Sequence, residues 1–184
     1  MSVILAATQD QHVLDLIETT CAKIRTKFPD ATFEVCPHPT QRGAIIDAYV
    51  ALIDKVCPCV ILAHSQGGHF AFRAAEQRPD KVKAMVSVEP AIGGGASNPK
   101  AVKDMPLLLV YGDYIDQDPR WVAYRKAALA YADAMRAAGG KVDVVSLPER
   151  GIKGNSHMLM MDKNNRAVLD VIAKWLTDNG LVEN

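Results

Sequence analysis

The sequence lacks an excess of charge of either sign, and no run of basic residues stands out in it. Its 21 Lys and Arg residues are balanced by 21 Asp and Glu residues, so the formal net charge is zero. Proteins that bind nucleic acid or anionic membranes by electrostatic attraction usually carry a basic patch or stripe. We therefore expect neither nucleic acid nor a membrane as a partner.

Long apolar segments are also missing. No apolar run approaches the roughly 20 residues that a membrane-spanning helix needs. The short apolar stretch at residues 3–7 has no basic region before it and no clear cleavage site after it, so it is predicted to be a strand and not a secretory signal. These absences predict a soluble protein.

Cysteine is scarce and irregularly spaced. The four cysteines, Cys21, Cys36, Cys57 and Cys59, are too few for a disulfide scaffold, and a single C-x-C pair is a poor match to a zinc site. We expect free thiols, no metal site and a cytoplasmic location.

The sequence does contain an alternation of strand-like and helix-like patterns. Apolar residues at helical spacing predict helices around residues 13–24, 45–53, 122–135 and 168–176, with one more after Ser65. Short apolar runs bounded by turn residues predict six strands, at residues 3–7, 32–35, 59–63, 84–88, 107–110 and 142–147. Such an alternation predicts one α/β domain over residues 1–184, a three-layer α/β/α sandwich with a mostly parallel sheet.

One strand–turn–helix segment carries the clearest chemical signal. The apolar run 59–63 leads into the turn Ala63-His64-Ser65-Gln66-Gly67 and then into an alanine-rich stretch. This pattern is typical of a nucleophile elbow, a strained turn that lifts a serine hydroxyl above the sheet, with small residues at Ala63 and Gly67 to let strand and helix approach. A helix that starts after Ser65 points its free N–H groups at this hydroxyl, so the Gln66 N–H is predicted to be an oxyanion donor.

A serine nucleophile needs a histidine to take its proton and a carboxylate to orient that histidine. There are five histidines. His64 and His69 belong to the elbow itself, His12 lies in the predicted first helix, and His38 lies between two prolines. His157 alone follows the last predicted strand, so it is the predicted base.

The carboxylate is not settled by position. Glu89 follows the predicted strand 84–88, and Asp113 and Asp116 follow the strand 107–110. The active cleft of a parallel sheet lies beyond the carboxyl ends of its strands, where all three would be found. The spacing leaves Glu89, Asp113 and Asp116 as alternatives.

Taken together, these segments resemble bacterial serine esterases of the α/β-hydrolase superfamily in which a glutamate after the sixth strand replaces the usual aspartate. The likeness covers roughly the last two-thirds of the chain. It rests on Ala63-His64-Ser65-Gln66-Gly67-Gly68, Val88-Glu89-Pro90, Val110-Tyr111-Gly112-Asp113, and residues 151–158 followed by residues 161–165.

The resemblance implies a carboxylic ester hydrolase that uses no metal and no organic cofactor. Ser65 would be the nucleophile, His157 the general base and then acid, and Glu89 the orienting carboxylate. Asp113 would then have a structural or loop-stabilising role. A small neutral ester is the expected substrate, and candidates for an apolar acyl pocket are Trp121, Tyr114, Ile115, Ile92, Met158 and Met160.

The sequence also departs from this family at its start. Neither the first two strands nor the His-Gly loop that completes the oxyanion hole is visible, and Ala7-Thr8-Gln9 stands in the position of that loop. The expectation is an α/β-hydrolase fold that lacks its first strands. Such a sheet would expose an edge, and a homodimer joined at that edge is one hypothesis.

Loss of one oxyanion donor costs about a hundredfold to a thousandfold in rate. Two alternatives to an esterase therefore stay open. One is a non-catalytic binding module of the same fold, and the other is a thioester or acyl-transfer enzyme that uses the same triad.

Overall fold

The described part of the chain is built around a parallel β-sheet. The structure is a computed structural model, and it describes residues 2–6, 22, 26, 32–36, 42–92 and 97–182. All pairings between neighbouring strands are parallel, and the spatial order is β2-β1-β3-β4-β5-β6. The strands are β1 (Ser2–Ala6), β2 (Thr32–Cys36), β3 (Cys59–His64), β4 (Val82–Val88), β5 (Leu107–Tyr111) and β6 (Val142–Ser146).

Each of the six predicted strands is confirmed, with boundaries within two residues of the observed ones. The apolar runs predict the central strands well, because a parallel strand that is covered on both faces is apolar along its whole length. All five residues of β5, for example, are buried.

Four helices are described in full: α1 (Arg42–Val56), α2 (Gln66–Gln77), α3 (Pro119–Ala137) and α4 (Asn165–Asp178). They confirm the predicted helices after Ser65 and around residues 45–53, 122–135 and 168–176. The helix predicted around residues 13–24 lies outside the described residues, apart from Ala22, which is helical.

The helices cover both faces of the sheet. On one face, Ile61, Met85 and Leu107 pack in a core that also contains Ile53 of α1 and Met135 of α3. On the other face, strand residues of opposite orientation pack against α4, whose Ile172 and Trp175 are buried there. This arrangement is the predicted three-layer sandwich, and it brings the ends of β3, β4, β5 and β6 to one edge of the sheet.

The expectation of free thiols is wrong for two of the four cysteines. Cys57, just after α1, and Cys59, the first residue of β3, form a disulfide, and their Cα atoms are 4.3 Å apart. The turn at Pro58 between helix and strand brings the two sulfur atoms together. The C-x-C pair was weighed as a zinc site and not as a local disulfide, so this pairing was missed.

None of the helices in the described residues is both long and apolar enough to cross a membrane.

Candidate active site

Ser65 lies in a strained turn between β3 and α2. Its backbone has φ 54° and ψ −128°, a region that non-glycine residues rarely adopt. The Ser65 N–H donates to the Val88 carbonyl at 3.1 Å, and the Ser65 carbonyl accepts from the N–H groups of Gly68 and Ala91 at 3.0 and 2.9 Å. These bonds tie the turn to its own helix and to the end of β4.

Gly68 permits the close approach of α2 to β4. A Cβ atom at this position would lie 2.8 Å from Cβ of Pro90 and 3.0 Å from Oγ of Ser87, closer than van der Waals packing allows. The elbow motif predicts small residues for this approach at Ala63 and Gly67. Gly68 was missed, although the Gly67-Gly68 pair is a visible signal for it.

His157 connects Ser65 to Glu89 by two hydrogen bonds. Its Nδ1 lies 2.7 Å from Oε2 of Glu89, and its Nε2 lies 2.9 Å from Oγ of Ser65. A carboxylate only accepts hydrogen bonds, so in the neutral imidazole Nδ1 carries the proton and donates a hydrogen bond to Glu89. Nε2 is then free to accept from the Ser65 hydroxyl, as a general base must.

Glu89 is held rigidly at the end of β4. Its side chain is 1% exposed, and its second oxygen, Oε1, accepts from the Gly112 N–H at 2.8 Å. Its own N–H donates to the Val110 carbonyl at 2.9 Å. Both carboxylate oxygens therefore have partners, which stabilises a buried charge that would otherwise be costly.

The two other candidate carboxylates lie elsewhere. Oδ2 of Asp113 accepts from the backbone N–H of Asn155 at 2.9 Å and from its side-chain Nδ2 at 3.2 Å. The side chain of Asp116 is 84% exposed and lies 3.7 Å from Arg125. Of the three alternatives, Glu89 is the one that contacts His157.

Asp113 stabilises the loop that carries His157. Besides accepting from Asn155, it donates its own N–H to the Asn155 carbonyl at 3.2 Å. Asn155 is fully buried, and its Nδ2 also donates to the Ile152 carbonyl at 2.9 Å. Asn155 was not singled out from the sequence, although a buried amide in a glycine-containing loop is a common way to satisfy loop backbone groups.

Asp162 closes the loop on its other side. Its two oxygens accept from the backbone N–H of Ser156 at 2.6 Å and from the Ser156 hydroxyl at 3.0 Å. The helix that follows, α4, begins at Asn165. The Asp162 side chain is engaged in the loop that precedes it.

A cleft of about 250 Å³ opens beside the Ser65 side chain. Its walls include three aromatic side chains, and the Trp121 ring lies 4.0 Å from the His157 ring, centroid to centroid. The cleft is lined by Ser65, Gln66, His69, Phe70, Ala91, Trp121 and Tyr124.

The predicted acyl-pocket residues are only partly found in this cleft. Trp121 lines it, whereas Ile115 is buried in the core and Tyr114 is 59% exposed. Ile92 lines a neighbouring cavity. Phe70 of α2 and Tyr124 of α3 were not predicted, because the apolar pattern of a helix does not distinguish residues that line a cleft from residues of the core.

The predicted oxyanion donors are described in part. Gln66 is the first residue of α2, so its N–H lies at the helix N-terminus next to Ser65. The segment Ala7-Thr8-Gln9 lies outside the described residues, as do His12 and His38.

Comparison with known proteins agrees with this fold. A family model described as "alpha/beta hydrolase fold" matches residues 56–137, a span that contains Ser65 and Glu89. The chain is 28% identical to the probable secreted lipase phiG of Fungal sp. (strain ATCC 74256), over an alignment that covers 75% of this chain and 51% of the lipase. It is 37% identical over 97 residues to Lipase LipV of Mycobacterium tuberculosis (strain ATCC 25618 / H37Rv), covering 52% of this chain and 36% of LipV. The chain thus spans about half, or less, of the length of these curated relatives.

Solved structures show the same likeness. A novel bacterial esterase solved at atomic resolution is 41% identical, with a TM-score of 0.66, over 73% of this chain and 42% of the esterase. Est1E from Butyrivibrio proteoclasticus is 15% identical with a TM-score of 0.63, over 98% of this chain and 88% of Est1E, which is a likeness of fold. The described architecture, the family match and these neighbours show that the chain has the α/β-hydrolase fold.

Proposed function

We propose that this protein is a serine hydrolase that cleaves a carboxylic ester through an acyl-enzyme on Ser65. The observation that carries the proposal is the continuous hydrogen-bond chain from the Ser65 hydroxyl through His157 to Glu89, with distances of 2.9 and 2.7 Å. The likeness to lipases and to a bacterial esterase supports the same reaction class.

The first half of the proposed cycle acylates Ser65. Oγ of Ser65 attacks the ester carbonyl carbon while its proton moves to Nε2 of His157. The imidazolium that forms donates from Nδ1 to Glu89, whose negative charge stabilises it. His157 then gives its new proton to the departing alkoxide, the C–O bond breaks, and the alcohol leaves.

Charge develops on the carbonyl oxygen during this attack. The first N–H groups of α2 lack helical partners, and the positive end of the helix dipole lies at the same place. The Gln66 N–H is the proposed donor to this oxyanion, and a donor of this kind contributes about 3–4 kcal/mol to transition-state stabilisation.

The second half of the cycle uses water. His157 takes a proton from a water molecule, the resulting hydroxide attacks the acyl carbon, and Ser65 leaves with the proton returned through Nε2. The carboxylic acid is then released and the free enzyme is restored. Water is the sole co-reactant, so the proposal includes no metal and no organic cofactor.

The cleft supports a small neutral ester as substrate. Phe70, Trp121 and Tyr124 supply apolar walls, and the described residues that line the cleft include no Asp, Glu, Lys or Arg. A volume of about 250 Å³ lies just below the range of about 300–1,000 Å³ that is usual for small-molecule sites. Short acyl groups should therefore be preferred to long ones.

A fluorophosphonate probe tests the proposed nucleophile directly, because it phosphonylates an activated serine with loss of fluoride. We expect one label per protein, located by mass spectrometry on the peptide that contains Ser65. The Ser65→Ala variant and the urea-unfolded wild type should take up no label, whereas Ser146→Ala should be labelled like the wild type. A folded wild type that stays unlabelled would contradict the proposal.

Thioester hydrolysis or acyl transfer would use the same three residues with another acceptor or leaving group. A panel of matched esters and thioesters, with and without an added alcohol acceptor, separates these reactions from ester hydrolysis. A binding module would bind such compounds without turnover.

A cytoplasmic location and a homodimer complete the proposal. The small number of cysteines supports the cytoplasmic location. The alternative is an oxidising compartment, which the Cys57–Cys59 disulfide and the likeness to a probable secreted lipase support. Fractionation of cells that express the full-length protein decides between the two.

A further inference from the structure

His64, the last residue of β3, contacts the backbone of His157. Its Nε2 lies 2.8 Å from the His157 carbonyl oxygen, and the two imidazole rings lie 4.5 Å apart with planes tilted by 35°. A carbonyl oxygen only accepts, so Nε2 of His64 carries a proton and donates it. His64 therefore binds the main chain of the residue whose side chain accepts from Ser65.

The charge state of His64 suits this position. Burial, together with the nearby positive charge of His157 when protonated, lowers the pKa of His64 to about 4. His64 is thus neutral near pH 7. It donates one hydrogen bond without placing a second cation beside the imidazolium that forms during acylation.

His157 needs such support because it lies outside regular secondary structure. Residues 152–158 are neither helix nor strand, and the nearest anchors of this loop are the bonds of Asn155 to Asp113 and of Ser156 to Asp162. The bond from His64 reaches the main chain of His157, whereas Glu89 and Ser65 contact its side chain. It links the base to the residue that directly precedes the nucleophile.

We propose that His64 is a positioning residue, whose hydrogen bond to the His157 carbonyl holds the imidazole at the distance from Ser65 that proton transfer requires. The inference rests on the proposed serine hydrolase function. The His64 side chain has two properties, the N–H donor and the flat ring, and a substitution can remove either one while keeping the other.

The test compares His64→Phe, which keeps a ring and loses the donor, with His64→Gln, which keeps a donor and loses the ring. For p-nitrophenyl butyrate, with kcat counted per fluorophosphonate-titrated site, His64→Phe should lower kcat by about tenfold to a hundredfold with KM changed less than about twofold. His64→Gln should stay within about threefold of the wild type in kcat. A purely structural role would instead lower the Tm of both variants and leave kcat per active site unchanged.

The outcomes separate the positioning role from the reaction itself. Equal kcat in His64→Phe and the wild type, or equal losses in both variants, would overturn the positioning role while leaving the esterase reaction intact. If the wild type turns over no ester, the proposed ester hydrolysis is wrong. The positioning role of His64 is then tested by the NMR signal of the His157 imidazole proton that is shared with Glu89. That signal should be sharp in the wild type and in His64→Gln and broadened by exchange in His64→Phe, and equal sharpness in all three would overturn it.

Discussion

Among the described residues, backbone strain is concentrated at the proposed catalytic residues. Three non-glycine residues have positive φ, and two of them are Ser65 at 54° and Glu89 at 41°. Strained residues persist where the surrounding structure holds them in place, and both of these directly follow a central strand of the sheet. The motif around Ser65 predicts its strain, whereas no local pattern around Glu89 does.

At the residue scale, the choice of acid can be tested by a matched pair of amide substitutions. Glu89→Gln removes the charge that orients His157 and should lower kcat by about a thousandfold or more, because the imidazole loses its correct tautomer and its counter-charge. Asp113→Asn keeps an oxygen acceptor for Asn155 and should cost less than about tenfold in kcat, with a lower Tm. Steady-state hydrolysis of p-nitrophenyl butyrate measures both, and the reverse order of losses would return the acid role to Asp113.

His64 also predicts a pH dependence of stability. In the unfolded chain this histidine takes up a proton below about pH 6.5, but in the folded protein its pKa is lowered to about 4. The unfolded state therefore binds more protons between these values, and stability rises with pH across that window. The contribution is fully present above pH 6.5, and about 3 kcal/mol of it is lost on going down to pH 4.

Urea unfolding at pH 7 and at pH 4 measures this effect, with His64→Gln as the control that cannot titrate. The wild type should lose about 3 kcal/mol more than the control between the two pH values. Equal losses in both proteins would show that His64 titrates normally in the folded state.

At the scale of elements, the sequence predicts strands and helices better than it predicts which carboxylate is used. Apolar runs locate β3 to β6 because these strands are buried on both faces. Glu89 and Asp113 each follow such a strand, and the parallel sheet brings both to the same edge. The direction of each side chain decides which carboxylate contacts His157. Asp113 points to Asn155 of the following loop, while Glu89 points to His157. That orientation depends on tertiary contacts between segments far apart in sequence.

The packing of α2 on β4 gives a second matched pair of substitutions. Gly68→Ala should destabilise the protein by about 1–3 kcal/mol, because the new Cβ would lie 2.8 Å from Pro90. It should also lower activity, since α2 carries the Gln66 N–H. Gly43→Ala in α1, where nothing lies within 4 Å of the new Cβ, should leave stability unchanged or raise it by up to about 1 kcal/mol. Urea denaturation compares the two, and an unaffected Gly68→Ala variant would contradict the proposed close packing.

At the scale of the whole molecule, the described sheet ends with β2 on one side and β6 on the other. Unpaired strand edges are usually covered by a loop, by pairing or by association. The homodimer predicted from the sequence stays a prediction on this basis. Sedimentation at micromolar concentration should give twice the chain mass of 20.0 kDa, and a mass of one chain counts against it.

The central claim, serine-dependent ester hydrolysis, is tested most directly by initial rates on p-nitrophenyl acetate and butyrate. The wild type should turn over both esters, while Ser65→Ala and His157→Gln should lose about a thousandfold or more in kcat and keep the wild-type fold by circular dichroism. Ser146→Ala should retain wild-type rates. A wild type with no turnover, or turnover that survives Ser65→Ala, would contradict the account.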